Sequence, residues 1–167
     1  VIAFVRQSFL DAQLQHTVAL RAAKNAAVRP QYDPALDALQ PALEGRLPVA
    51  FEANAAREIL RALAMPQEFK LDPVISGARE ADQVSADLKA RNARVIYNVN
   101  YPTRSGALAP EADESISVLR ERANAPKVPA ALDKAGVLFA FSATGVREPR
   151  DFVRNVARAV REGLPAE

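Results

Sequence analysis

The chain has 167 residues, 49% hydrophobic and 25% charged, with a formal net charge of +2. That is enough chain to bury a core in one domain, and too slight a basic excess to argue for a nucleic-acid partner. Cysteine is absent, which excludes disulfides and thiolate metal sites and leaves the redox compartment unreadable.

No apolar run approaches the ~20 residues that span a bilayer, and no segment reads as a signal peptide. A soluble protein without a membrane partner is expected, either cytoplasmic or periplasmic. The first residue is Val1 rather than Met, and Val1 to Leu14 already has mid-helix character. The expectation is therefore a piece of a longer chain, with any targeting segment upstream.

Ile2, Val5, Phe9, Ala12 and Leu14 recur at helical spacing, and Val18, Leu20 and Ala22 extend the run towards residue 27. Arg29-Pro30 breaks it. Asp33-Pro34 supplies an N-cap followed by proline in the first turn, opening a helix from Pro34 to about Leu43, with Gly45 placed for a left-handed cap. Leu47 to Ala53 reads as a strand, after which Asn54 caps a helix carrying Ile59, Leu60 and Leu63 on one face. Pro66 lacks the N–H that a helix interior needs, so a kink or break is predicted there. Asp72 to Gly77 is a second short strand, followed by a helix from Glu80 to Arg91 with Val84 and Leu88 inward.

Val95 to Val99 is a third strand. A loop rich in Pro, Gly and polar residues then runs from Asn100 to about Glu111, long enough to be a candidate functional loop. Helical pieces Asp113–Ala123 and Pro129–Lys134 lead through Gly136 into Val137-Leu138-Phe139-Ala140-Phe141, which reads as a buried strand ending at Ser142-Ala143-Thr144-Gly145. Phe152 to Arg161 is the last helix. Arg147, Arg150, Arg154, Arg158 and Arg161 fall on one face of this region as a solvated outer stripe, and Phe152, Val153, Val156 and Val160 supply its core side.

Strands separated by helices imply right-handed crossovers and a parallel sheet. The fold class is α/β: a four-stranded parallel sheet with crossover helices, half the strand count of a (β/α)8 barrel. Residues 1–44 are its N-terminal helices, and residues 45–167 are four β/α units of the same domain.

Four passages carry a family likeness: Arg6-Gln7-Ser8-Phe9-Leu10-Asp11-Ala12-Gln13, Leu47-Pro48-Val49-Ala50-Phe51-Glu52-Ala53-Asn54, Gly77-Ala78-Arg79-Glu80-Ala81 and Lys134-Ala135-Gly136-Val137-Leu138-Phe139-Ala140-Phe141-Ser142. Ala159-Val160-Arg161-Glu162-Gly163-Leu164-Pro165 adds a closing helix end. In this order they resemble the C-terminal part of the barrel in the amidohydrolase superfamily, of the imidazolonepropionase-like group. The resemblance implies a metal-dependent hydrolase ancestry, with zinc or another divalent metal in active relatives. It also implies attack of metal-activated water on a non-peptide carbon–nitrogen bond.

The family pattern has His where this chain has Glu52, His where it has Ser76, and Asp where it has Thr144. By this comparison the metal ligands at these positions have been lost, and the site is either degenerate or completed by upstream sequence. His16 is the one histidine, and it falls in the first helix. A zinc centre of this kind needs converging imidazoles and a carboxylate. No cofactor is therefore expected in this chain, and no self-contained catalysis.

Glu52 has two readings: a base or hard-cation ligand at a strand end, or a cap on the following helix. Asn98, Asn100 and Arg104 enter the long loop, with Tyr101 between them. They could recognise a polar ligand, Arg104 clamping a carboxylate, or simply make the turns around Pro102 and Gly106. The alternatives to a hydrolase fragment are a non-catalytic small-molecule-binding module and a structural interaction module. The expected partner is the remainder of the parent polypeptide or a second copy in a homodimer, because an open sheet leaves two unpaired edges.

Overall fold

Four short stretches with period-2 burial become strands: β1 (Val49–Ala53), β2 (Pro73–Gly77), β3 (Arg94–Asn98) and β4 (Phe139–Ser142). They were obtained from a computed structural model that describes residues 2–25, 31–109 and 111–166. The strands form one sheet in the order β1-β2-β3-β4. Val74 pairs with Arg94 and Ser76 with Ile96 across β2 and β3; Ile96 pairs with Ala140 and Asn98 with Ser142 across β3 and β4, all in parallel. Every connection is helical: α4 (Ala56–Phe69), then a 3₁₀ turn and α5 (Ser85–Ala90), then α6 (Ile116–Asn124), a second 3₁₀ turn and α7 (Val128–Lys134). The closing helix is α8 (Pro149–Arg161). This is the expected α/β sheet with crossover helices.

Alternation along each strand sends successive side chains to opposite faces. Ile75, Val95 and Tyr97 lie on the buried face and share one core with Ala53, Ile59, Leu63, Leu88, Val128 and Leu132. The other face carries Glu52, Val74, Ser76, Arg94, Ile96, Asn98, Ala140 and Ser142. There Ile96 is 37% exposed, and Leu138, just before β4, is 70% exposed. The last strand is thus an edge strand with one half-buried face, not the fully buried strand its composition suggests.

Two compact units are present. The first holds the described residues up to Val49 together with Ala64–Pro73, and the second holds Ala50–Leu63 and the residues from Val74 onward. In the first unit α1 (Ile2–Lys24) buries Phe9 and Ala12. Phe9 meets the Phe69 ring at 5.3 Å, and Arg6 Nε donates to both oxygens of Glu68 at 2.8 and 3.0 Å. Ile2, Leu14 and Leu20, expected on the packed face, are exposed. His16 is exposed as well. The break at Arg29-Pro30 and any helix towards residue 27 lie outside the described residues.

The helix expected over Pro34–Leu43 is two single turns, α2 (Pro34–Asp37) and α3 (Gln40–Leu43). Pro41 explains the interruption. It has no N–H to offer the Asp37 carbonyl, but it fits the first turn of a new helix. Asp33 does cap α2, accepting from Ala35 N at 2.8 Å, and Gly45 adopts a left-handed φ of 71°.

Of the kink or break expected at Pro66, the break does not occur, because α4 runs through it to Phe69. Only one turn remains beyond the proline, and it is closed by Leu71 N donating to the Pro66 carbonyl at 3.0 Å. The Pro66 ring is buried, which offsets its missing donor.

Several boundaries also move. The segment expected as helix over Glu80–Arg91 opens as the 3₁₀ turn Ala81–Val84. Helix α6 starts at Ile116 because Ser115 is its N-cap. On α8 the inward residues are Phe152, Val156 and Ala159. One position further on, Val153 is turned outward and 67% exposed, and Val160 is exposed too.

Phe9→Ala is expected to cost about 3 kcal/mol of stability, whereas Phe4→Ala, at a position 76% exposed, should cost little. Urea unfolding of the two variants reads the difference.

Candidate functional site

The C-terminal ends of parallel strands gather the polar residues. Asn98 sits beside Ser142 in register, and Ser76 lies one pair lower beside Ile96. Ala78 N donates to the Ala53 carbonyl at 2.9 Å, which aligns Ala53 with Gly77 and so Glu52 with Ser76. Glu52, Ser76, Asn98 and Ser142 therefore share the bare face of the sheet. Thr144 follows in a tight turn, its N–H donating to Ser142 Oγ at 3.2 Å and its hydroxyl 2.8 Å from the same oxygen.

Glu52 does not cap α4, and the Asn54 side chain does not cap it either. Asn54 N and Ala55 N both donate to Glu58 Oε2 at 3.0 Å, and Ala56 N donates to Glu80 Oε2 at 2.9 Å. The two backbone donors hold the Glu58 carboxyl below the usual carboxylate range. Glu52 stands on the bare face, on the opposite side of the sheet from the core that α4 packs into.

The Asn54 side chain instead lies over Gly77, whose φ is 92°. A Cβ there would come 2.5 Å from Asn54 Oδ1. The same arrangement recurs one pair of strands later. Asn100 covers Gly145, φ 78°, and a Cβ would meet Asn100 Nδ2 at 2.7 Å.

The three loop residues read as ligand-binding candidates are engaged locally. Asn98 Oδ1 accepts from Asn100 N at 2.9 Å, an Asx turn. Arg104 Nη2 donates to the carbonyls of Ala109 and Ala112 at 2.7 and 2.9 Å, and Nη1 reaches Glu114 at 3.4 Å. Glu114, only 8% exposed at its side chain, also accepts two bonds from Arg122 at 2.6 and 3.0 Å. Hydrogen bonds from Arg122, with the charges of Arg122 and Arg104, hold the Glu114 carboxyl below its ordinary range. Pro110 of this loop lies outside the described residues.

Tyr101 turns inward rather than towards a ligand. It is buried, 6.5 Å from the Tyr97 ring, with Arg158 stacked 5.5 Å above it. Burial pushes its hydroxyl up to about 12. Arg158 thus leaves the expected outer stripe for a cation–π contact. Asn155 Nδ2 donates to the Val99 carbonyl at 2.9 Å and ties α8 to the end of β3.

A metal of the implied kind does not fit these residues. Among the described residues no group of three or more His, Cys, Asp or Glu converges. Glu52 has hydroxyl and amide neighbours, a poor donor set for zinc. No helix of the described residues is long and apolar enough to cross a membrane. Sequence reasoning missed a groove of about 570 Å³ on the helix side, lined by Arg79, Gln83, Ser117, Arg120, Asn124 and Lys127. Within its lining Arg79 pairs with Glu121 at 3.0 Å. Its residues come from separate helices, so no local pattern announced it.

No protein-family model matches this sequence, and no curated protein matches it. Among solved structures it is similar to an amidohydrolase from Thermotoga maritima MSB8, with a TM-score of 0.74 and 22% identity. The match covers 98% of this chain and 40% of that one. At that identity the likeness establishes the fold, an amidohydrolase-like α/β arrangement. The chain spans 40% of the length of the solved structure it matches.

Gly77→Ala should destabilise the protein by about 1–3 kcal/mol through its positive φ and the Asn54 contact. Adding Asn54→Ala should recover only the contact part. Gly106→Ala, where nothing lies within 4 Å, should be near neutral in the same urea titration.

Glu114 gives a pH signature. Its folded value lies below the unfolded one, so its stabilisation is present above the ordinary carboxylate range and lost as pH falls through the folded value. Protection factors of the amides in residues 101–115, taken against the intrinsic exchange rate at each pH, should fall down that range in the wild type. In Glu114→Gln they should already be low and flat with pH.

Proposed function

We propose that this chain is one wall of an amidohydrolase-like protein whose whole form or relatives hydrolyse non-peptide carbon–nitrogen bonds, and that the chain is not catalytic by itself. The observation that carries the reading is the set of groups at the strand ends. Glu52, Ser76 and Thr144 stand where the resemblance puts two imidazoles and a carboxylate. Zinc supplies, when held by such ligands, a water acidic enough to act near neutral pH. A single carboxylate among hydroxyls and amides does not assemble that centre, and His16 is the chain's one imidazole.

The polar groups that remain are better suited to structure than to proton transfer. The Ser142 and Thr144 hydroxyls satisfy each other, and Asn98 holds its own turn. A hydroxyl attacks only beside a base that takes its proton, and neither serine has an imidazole or lysine partner among the described residues. Arg104, which would clamp a carboxylate, spends its donors on the loop.

The purified chain, assayed on a panel of cyclic and linear non-peptide amides, should show no turnover above buffer with or without zinc. Elemental analysis after zinc dialysis should find no stoichiometric metal. A combined Glu52→His, Ser76→His and Thr144→Asp variant should bind zinc at least tenfold more tightly than the parent. Hydrolysis by the unmodified chain would overturn the reading, and no gain in the variant would detach these three positions from the metal pattern.

A further inference from the structure

We propose that helix α6 and the groove beside it form a docking surface for an acidic, amphipathic segment of another protein. The surface lies on the helix side of the sheet, and nothing in it draws on the hydrolase reading.

A surface helix ordinarily turns apolar residues to the core and polar ones to water. Helix α6 does the reverse. None of its residues is buried, and Ile116, Val118 and Leu119 are 66, 38 and 46% exposed. What holds the helix down is polar. Asn124 Nδ2 donates to Asp82 Oδ2 at 2.9 Å, Arg79 pairs with Glu121 at 3.0 Å, and Arg122 pairs with Glu114. Ile116, Leu119 and Ala123, at i, i+3 and i+7, are left as an apolar ridge on one outward face. Exposed apolar residues scattered singly are ordinary, but a row of them marks an interaction surface. The helix lies in the crossover from β3 to β4, and the elements before and after that crossover, α5 and α8, are both described. The ridge is therefore bare among neighbours that are present.

Charge selects the occupant. The groove beside the ridge carries Arg79, Arg120 and Lys127 against Glu80 and Glu121. Both acids are engaged, Glu121 by Arg79 and Glu80 by the Ala56 amide at 2.9 Å. Arg120 and Lys127 have no ion pair or hydrogen-bond partner for their side chains among the described residues. Arg120 follows Leu119 directly and stands one turn from Ile116, so free positive charge adjoins the ridge. A segment that covers Ile116 and Leu119 with its own apolar side chains brings its flanking residues to Arg120 and Lys127, where carboxylates are the complement. A small molecule needs apolar walls around it, and Ile116 and Leu119 stand outside the groove lining. A second copy brings no net negative charge, the chain's own being +2.

The probe is a phage-displayed library of random peptides selected on the purified chain. Enriched sequences should carry Asp or Glu flanking Leu, Ile or Phe at helical spacing. Synthesised with a fluorescent label and read by anisotropy, these peptides should lose at least about tenfold in affinity on Leu119→Asp and on Arg120→Glu. Wild-type binding should also weaken as salt is raised. Both variants should keep the far-ultraviolet circular dichroism of the wild type, because neither residue is buried. Val153→Asp, at an exposed position of α8, should bind as the wild type does. No enrichment, enrichment of basic or uncharged peptides, or peptides indifferent to both α6 substitutions would overturn the proposal. Self-association of the chain, or its binding to phosphatidylserine vesicles, overturns it too where Leu119→Asp abolishes it, since the ridge would then belong to that occupant. No metal or substrate enters these measurements, so either result leaves the non-catalytic reading as it stands.

Discussion

Backbone groups at the edge of a parallel sheet need a further strand, a covering loop or water, and its faces need cover on both sides. The sheet of this protein meets that requirement on one face. Ile75, Val95 and Tyr97 pack under the crossover helices, while Ile96 and Leu138 look outward from the same sheet. Helices α4, α5 and α7 are recruited by the covered face, through Ile59 and Leu63, Leu88, and Val128 and Leu132 respectively. The one-sided core therefore fixes where the helices go and what the strand ends can present.

A second regularity keeps the strand ends rigid. Asn54 closes over Gly77 and Asn100 over Gly145, each asparagine following one strand and each glycine belonging to the next βα turn. The carboxylates of Glu58 and Glu80 hold the first amides of α4, one from inside the helix and one from 24 residues away. Glu114 performs the corresponding service for the loop after β3, gathering Arg104 and Arg122. Loops of this length are usually the mobile part of a β/α unit. Here the loop carries its own electrostatic tether.

Strand and helix order was legible because it depends on local periodicity, and Val-Ile-Tyr or Phe-Ala-Phe runs leave few other choices. Which face was bare was not legible. Val95, Ile96 and Tyr97 look equally suited to burial, and only the partner strands decide that Ile96 faces out. Pro41 and Pro66 carry the same missing donor, yet one splits a helix and the other does not, because Pro66 has a single turn after it and a buried ring. At the candidate site, the shortage of imidazole was legible from composition, and the local use of Asn98 followed from its turn. The capping of α4 by Glu80 was hidden, since a bond between positions 56 and 80 exists only once β2 lies beside β1.

Glycines at the ends of barrel strands ordinarily create room for a ligand to approach the backbone. In this chain that room is taken. Asparagine side chains fill the space over Gly77 and Gly145 so closely that a single methyl group would collide with them. Ionisable groups whose partners shift their proton affinity often gather at such strand ends. The shifted carboxyls found here, Glu58 and Glu114, serve backbone amides and arginines instead. The polarity of the strand ends is thus spent on holding the turns in place.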